Sequence, residues 1–275
     1  MEVDLIYDVG LHDGTDTAYY LEKGFRVLAI DANPLLTSQA QVRFRKEIAA
    51  GQLTVLNVGI GASEESLSFW INQAKNTQSS FDKDRAMRYG PCQDVVVKCV
   101  PLSAIVDKYG VPYYLKTDIE GNDYLCINAL VPGKLPKYIS VELDPNRDLV
   151  RALHELGYDR FKVINQTSFT DSTPIFRDEI GLRLLRKLGS RVPWFKGILK
   201  SPGISSRLRK IDFDSFLDRF DHKFPEGSSG PFGEETWGPW YSFEEIRALI
   251  DAIRTRRAAG QVAPGTFWMD VHATF

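Results

Sequence analysis

The chain has 275 residues, enough for one large α/β domain or one domain carrying a sizeable insertion. A hydrophobic content of 43% and a charged content of 25% are those of a cytosolic globular protein, and a net charge of -2 gives no general drive toward nucleic acid or anionic membrane. No apolar run approaches the roughly 20 residues of a membrane span, and Met1-Glu2-Val3-Asp4 lacks the pattern of a secretory signal, so the expected location is cytoplasmic.

In chain order, residues 5–9 (Leu-Ile-Tyr-Asp-Val) read as a buried strand, and Asp13-Gly14-Thr15-Asp16 supplies turn and cap chemistry for a helix ending near Gly24. Residues 26–30 form a second strand closing on Asp31-Ala32-Asn33-Pro34. A polar helix and a third strand (53–58) follow. Residues 66–71 and 95–100 read as short β segments flanking a polar loop, 72–93. A helix at 104–109 precedes a fourth core strand (113–119), then helix 124–130, strand 138–143, helix 149–156 and strand 161–164. Such alternation implies parallel βαβ units and an open doubly wound sheet with ligands at the carboxyl ends of its strands.

Beyond residue 165 the rhythm breaks. A basic stretch (183–209), a Phe-rich run (213–224), a Gly/Ser loop (225–233) and a helix (242–254) precede a last strand, 267–272. The expected division is therefore a core of residues 1–165, a substrate-covering insertion at 166–265 and a last core strand at 266–275. Cys92, Cys99 and Cys126 lack metal-type spacing and read as free thiols.

Three features carry chemistry. The turn Asp8-Val9-Gly10-Leu11-His12-Asp13-Gly14 leads from the first strand into a helix N-terminus, with glycines that allow a tight turn and close approach of a ligand. His12 breaks the dinucleotide fingerprint G-x-G-x-x-G, which argues against an NAD enzyme. Asp31, at the tip of the second strand, is placed to accept ribose hydroxyls or to cap the helix begun at Pro34. Lys116-Thr117-Asp118-Ile119-Glu120-Gly121 ends the fourth strand, and alternation puts Lys116, Asp118 and Glu120 on one face. Such charges beside a buried sheet are costly unless paired or used.

With D-V-G-x-x-x-G at residues 8–14, Asp31, Asn57-Val58-Gly59, Ser79-Ser80, K-x-D-x-E-G at 116–121 and a strand ending Val-Glu-Leu-Asp, the chain resembles the FkbM family of S-adenosylmethionine (SAM)-dependent methyltransferases over about residues 4–165. His12 departs from the small or amide residue usual there. The resemblance implies a class I methyltransferase fold: a doubly wound, mostly parallel seven-stranded sheet with an insertion before the last strand. It implies O-methylation, often of sugar hydroxyls in glycans or natural products, with SAM as cofactor and a small-molecule or glycan acceptor as partner. Cofactor binding then falls to Asp8, Gly10, His12, Gly14, Asp31, Ala32, Asn33, Asn57, Gly59, Ser80 and Asp118.

Asp118, Glu120 and His272 are the candidates for deprotonating or orienting the acceptor. Asp270 and His272 share a face of the last strand, where the pair is either a base with its orienting carboxylate or a structural pair. No metal is assigned. Asp118, Glu120, Glu142 and Asp144 would suit magnesium, but carboxylates near a sulfonium account for them equally. The alternatives are an NAD-linked oxidoreductase or sugar-nucleotide enzyme, and a non-catalytic SAM- or glycan-binding module.

Overall fold

The computed structural model describes residues 1–144, 146–166, 169, 219–225, 227–259 and 268–275. The basic stretch at 183–209 and the first part of the Phe-rich run lie outside them. The chain begins β1 (Glu2–Val9), α1 (Thr15–Glu22), β2 (Arg26–Asp31), α2 (Pro34–Arg43), α3 (Arg45–Ala49), β3 (Leu53–Asn57), β4 (Gly59–Ile60) and β5 (Glu65–Asn72). It continues α4 (Lys83–Met87), β6 (Cys92–Val100), α5 (Leu102–Tyr109), β7 (Pro112–Thr117), α6 (Asp123–Asn128), β8 (Tyr138–Glu142), α7 (Leu149–Glu155) and β9 (Arg160–Asn165). The last described elements are β10 (Tyr241–Ser242), α8 (Phe243–Ala258) and β11 (Met269–Thr274).

Eight strands form the main sheet in the order β10-β9-β11-β8-β7-β1-β2-β3. β3, β2, β1, β7 and β8 run parallel, while β11 is antiparallel to both β8 and β9. The sheet is doubly wound and mostly parallel, as expected, and its additional strand is β10, two residues paired antiparallel to β9. The central strands read as continuous apolar runs because both faces are covered. α5, α6, α7 and α8 cover one face, with Leu102, Ile127, Leu153 and Ile246 in its core. α1 and α2 cover the other, where Tyr20, Ala40 and Phe44 join Tyr114 and Phe232.

The predicted β segments, β5 and β6, pair with each other antiparallel, and β6 pairs parallel with β4, making a separate three-stranded sheet, β4-β6-β5. The loop predicted at 72–93 is more ordered than its polarity suggested. It holds a 3₁₀ turn (Asn76–Gln78) and α4, capped by Asp82, whose side chain accepts from the Arg85 amide. A five-residue helix has no apolar periodicity to detect, so only its cap was readable.

His272 sits in a row of register partners, Ser140, His272 and Lys162, across β8, β11 and β9. It is 1% exposed, and no hydrogen-bond partner meets its Nε2 among the described residues. Burial, assisted by the nearby Lys162 charge, pulls its pKa down to about 3. Lys162 itself donates to the Thr236 carbonyl at 3.1 Å and hydroxyl at 2.8 Å. The Asp270–His272 pair therefore does not form: Asp270 accepts from Gln166 instead, at 2.7 Å.

Two outcomes follow from this packing. Phe232 stacks face to face on Tyr114, with ring centroids 4.2 Å apart, so Phe232→Ala should lower stability by about 3–5 kcal/mol in denaturant titrations. A variant as stable as the parent would show that this segment is not integral to the core. For His272, the folded pKa lies below that of the unfolded chain, so the unfolded chain takes up the proton first. Its stabilising neutrality is complete above about pH 6.5 and is lost as pH falls toward 3. His272→Asn should therefore flatten the acid slope of stability relative to the parent, by up to about 1.4 kcal/mol per pH unit. Parallel slopes for the two proteins would contradict this.

Candidate functional site

A cleft enclosing about 1220 Å³, open solvent at its mouth included, lies at the carboxyl ends of β1, β2 and β7. The turn after β1 forms one wall. Gly10 has φ 92°, and a Cβ there would lie 1.9 Å from the Asp118 carbonyl oxygen, so glycine is required by the close approach of β7. Gly14 (φ 77°) would place a Cβ 2.7 Å from the Phe44 ring, and it sits behind the wall rather than on it. His12 is on the wall, also at positive φ (49°), and its amide donates to Asp31 Oδ2 at 3.0 Å.

Asp31 thus ties the turn to the start of α2, since its Oδ1 accepts from the Asn33 amide at 2.8 Å. Burial raises its pKa, against the pull of those two amides. Asn33 caps α2, accepting from the Leu35 amide at 3.0 Å, while its buried Nδ2 has no partner among the described residues. Asn57 does not line the cleft; it donates to the carbonyls of Asp31 (3.0 Å) and Ala32 (3.1 Å), fixing the turn from behind. Ala32, Gly59 and Ser79 line the cleft, whereas Ser80 is turned into a bridge with Trp70. Leu36, Val58, Ile60, Phe69 and Phe81 give this end an apolar lining.

The other end is acidic. Lys116 is 3% exposed and donates to Asp8 Oδ1 (2.9 Å) and the Gly10 carbonyl (2.7 Å), with Asp16 Oδ2 at 3.5 Å. Asp8 is fully buried beneath the cleft, its other oxygen accepting from the Thr17 hydroxyl at 2.6 Å. Strand alternation stops at Thr117: Glu120 has φ 53°, a left-handed conformation, so it does not extend the face of Lys116 as the sequence suggested. Asp123 stabilises this bend by accepting from the amides of Ile119 (3.0 Å) and Gly121 (3.2 Å).

Asp118 and Glu120 both line the cleft. Burial raises the Asp118 pKa to about 6, against the pull of Lys116. Burial, then the Asp118 charge, raises Glu120 to about 7, even though Arg85 donates to its carboxylate at 2.5 Å. Pro225, Gly227, Ser228 and Trp268 close the cleft opposite. Ser228 donates to Asp16 Oδ1 at 2.5 Å, and the Ser229 amide donates to Oδ2 at 3.1 Å.

The structure thus brings Gly10, His12, Asp31, Ala32, Asn33, Gly59, Asp118 and Glu120 to one cleft, with Asp8, Gly14 and Ser80 as buried supports and the exposed Asn57 bracing the turn from outside. His272 is not brought there. Asp16, Arg85 and Ser228 were missed. Arg85 had one faint signal, three residues after a capping Asp82; Asp16 and Ser228 are 212 residues apart and had none. Among the described residues no group of three or more His, Cys, Asp or Glu is arranged to hold a metal. Asp144 instead accepts from the Asn146 amide and Arg147.

The residues fit SAM. The unpartnered Asn33 amide and the spare lone pairs of Asp31 suit a nucleoside, the apolar lining suits a purine, and Asp118 and Glu120 suit a cation. A family model, the Methyltransferase FkbM domain, matches residues 8–160. No curated protein matches the chain. Among solved structures, the chain is similar to an FkbM methyltransferase of Methylobacillus flagellatus KT, at 18% identity and TM-score 0.35, over 50% of this chain and 32% of that one. The chain thus spans about a third of that protein's length. It is also similar to a precorrin-6y C5,15-methyltransferase of Geobacter metallireducens GS-15 (14%, TM-score 0.33, 60% and 69% covered). A third is a SAM-dependent methyltransferase of Geobacter sulfurreducens in complex with S-adenosylhomocysteine (12%, TM-score 0.32, 98% and 83% covered). The family model spans more than half of the sequence, and the chain belongs to the FkbM family of SAM-dependent methyltransferases.

Proposed function

We propose that this chain methylates oxygen, with a hydroxyl of a sugar, glycan or natural product as acceptor. The observation that carries the reading is Glu120, which lines the cleft with Arg85 on one carboxylate oxygen and titrates near neutrality, at about 7. A base with such a pKa is matched to a hydroxyl that loses its proton only as the new bond forms. Bound SAM supplies a methyl group on a positively charged sulfur. Asp118 offers that cation a carboxylate, Asp31 accepts from ribose hydroxyls, and the Asn33 amide is the donor for the nucleoside end. His12, Ala32 and Gly59 shape the wall, while Asp8, Gly10, Gly14, Asn57 and Ser80 hold it in place.

In this reading residues 1–165 and 266–275 form the cofactor core and 166–265 cover the acceptor. Pro225, Gly227 and Ser228 of the covering segment already line the cleft, and Trp268 offers a flat face to a sugar ring, with the Lys75 ammonium 5.8 Å from its ring centre.

Calorimetry should find SAM and S-adenosylhomocysteine binding and NAD not binding. Asp31→Ala should weaken both by tenfold or more, the effect of losing hydrogen bonds to a charged group worth about 1.5–3 kcal/mol. With a panel of hydroxyl acceptors, Glu120→Gln should cut S-adenosylhomocysteine production about 10²–10⁴-fold and change SAM affinity far less. In the parent, kcat/KM for SAM should rise with pH through about 7, because the base must be ionised. Binding of NAD in place of SAM would overturn the reading, and equal activity of Glu120→Gln would remove Glu120 as the base.

A further inference from the structure

The ends of β7, β8 and β11 lie side by side, and they crowd carboxyl groups. Asp270 and Glu142 are register partners, as are Val141 and Thr117, the residue before Asp118. Glu120 follows two residues on, and Asp123 lies beneath, its two oxygens occupied by backbone amides. Among the described residues, two cations face these five carboxyls. Arg85 of α4 bonds Glu120 and faces Glu142 and Asp123. Lys116 of β7 faces Asp118 and Asp270 but is committed to Asp8 and Asp16. Asp16 of α1 and His12 of the β1–α1 turn also face Asp118. Asp270 is 1% exposed, and its Oδ2 has no hydrogen-bond partner among the described residues.

Carboxyls that share a site with too few cations cannot all ionise, so such a cluster retains protons at neutral pH and yields them to an arriving positive charge. We propose that Asp118, Glu120, Glu142 and Asp270 form a proton reservoir tied to the charge of the cofactor, releasing protons as the cation binds and recovering one when that charge is lost. This rests on the reading that Asp118 and Glu120 meet the sulfonium end. The balance closes. Transfer to a hydroxyl breaks the S–CH3 and O–H bonds and forms the O–CH3 bond. The sulfur keeps its electron pair, and the one proton left over goes to the cluster. Glu120 is then more fully ionised as a base while the cationic cofactor is present.

Burial, followed by the charges of Asp118 and Glu120, lifts Glu142 to about 9. Burial and then Asp118 hold Asp270 well above the ordinary range. Neither residue lines the cleft, so their role is to exchange protons rather than to touch the ligand.

The experiment is calorimetry at pH 7 in buffers of different ionisation enthalpy, with SAM, with sinefungin (an amine in place of the sulfonium) and with neutral S-adenosylhomocysteine. SAM and sinefungin should release more protons than S-adenosylhomocysteine, by on the order of half a proton per site. Glu142→Gln and Asp270→Asn should each shrink that difference while binding persists. Equal release with all three ligands would overturn the proposal and leave the cofactor reading standing. An undiminished difference in both variants would also overturn it, by excluding Glu142 and Asp270. Failure of all three ligands to bind would overturn the cofactor reading and this inference with it.

Discussion

Lys116 is a lysine at the end of a central strand with almost no contact with water, and the rest of the site depends on how its charge is compensated. An ammonium in such a place loses several kcal/mol of hydration and is tolerated only with well-placed partners. Among the described residues it has three: the Asp8 carboxylate in register on β1, the Gly10 carbonyl in the following turn, and Asp16 in the first turn of α1. One side chain therefore fixes the spacing of β1 and β7, the path of the turn between β1 and α1 and the start of the first helix. Asp16 extends the same network to Ser228 and Ser229, so the segment that closes the cleft is anchored to the cation at its floor.

That arrangement has an electrostatic consequence. Lys116 is shared among Asp8, Asp16 and Asp118, and Arg85 must serve Glu120, Glu142 and Asp123 together. The cleft is thus left with an excess of carboxyl groups on the side of β7 and β8. In a low-dielectric site such an excess is relieved either by protonation or by a bound cation. The upward shifts at Asp118, Glu120 and Glu142 are the first form of relief. A bound cation is the second, and the two are interchangeable in charge.

The parts of this site that were legible in the sequence are local ones. The strand–turn–helix at residues 8–14, Asp31 at a strand tip and the acidic end of the fourth strand are each contained in a few consecutive residues. Parallel β-sheet topology then places those strand ends together. What failed has a different origin. Alternation correctly put Asp270 and His272 on one face, but could not say that the face is covered by the segment carrying Phe232 and Trp240. It also extended β7 through Glu120, where Asp123 bends the chain instead. Arg85 reaches the cleft from a five-residue helix between β5 and β6, an element too short to carry a periodic signal. Contacts between distant segments, such as Asp16 with Ser228, leave no trace in either local stretch.

The bend at Glu120 connects these threads. A non-glycine residue at positive φ costs on the order of 1–3 kcal/mol and persists only where its surroundings over-determine it. Here Asp123 holds the backbone from below, Arg85 holds the carboxylate from the side, and Gly121 follows at φ 93°, a left-handed conformation that favours glycine. An extended strand through Glu120 would relieve the strain, but its carboxylate would lose the Arg85 guanidinium. The K-x-D-x-E-G pattern is therefore one mechanical unit: Lys116 anchors the strand, Asp118 ends it at the cleft, and Glu120 and Gly121 turn it so that a carboxylate meets a guanidinium supplied by the second sheet's connection.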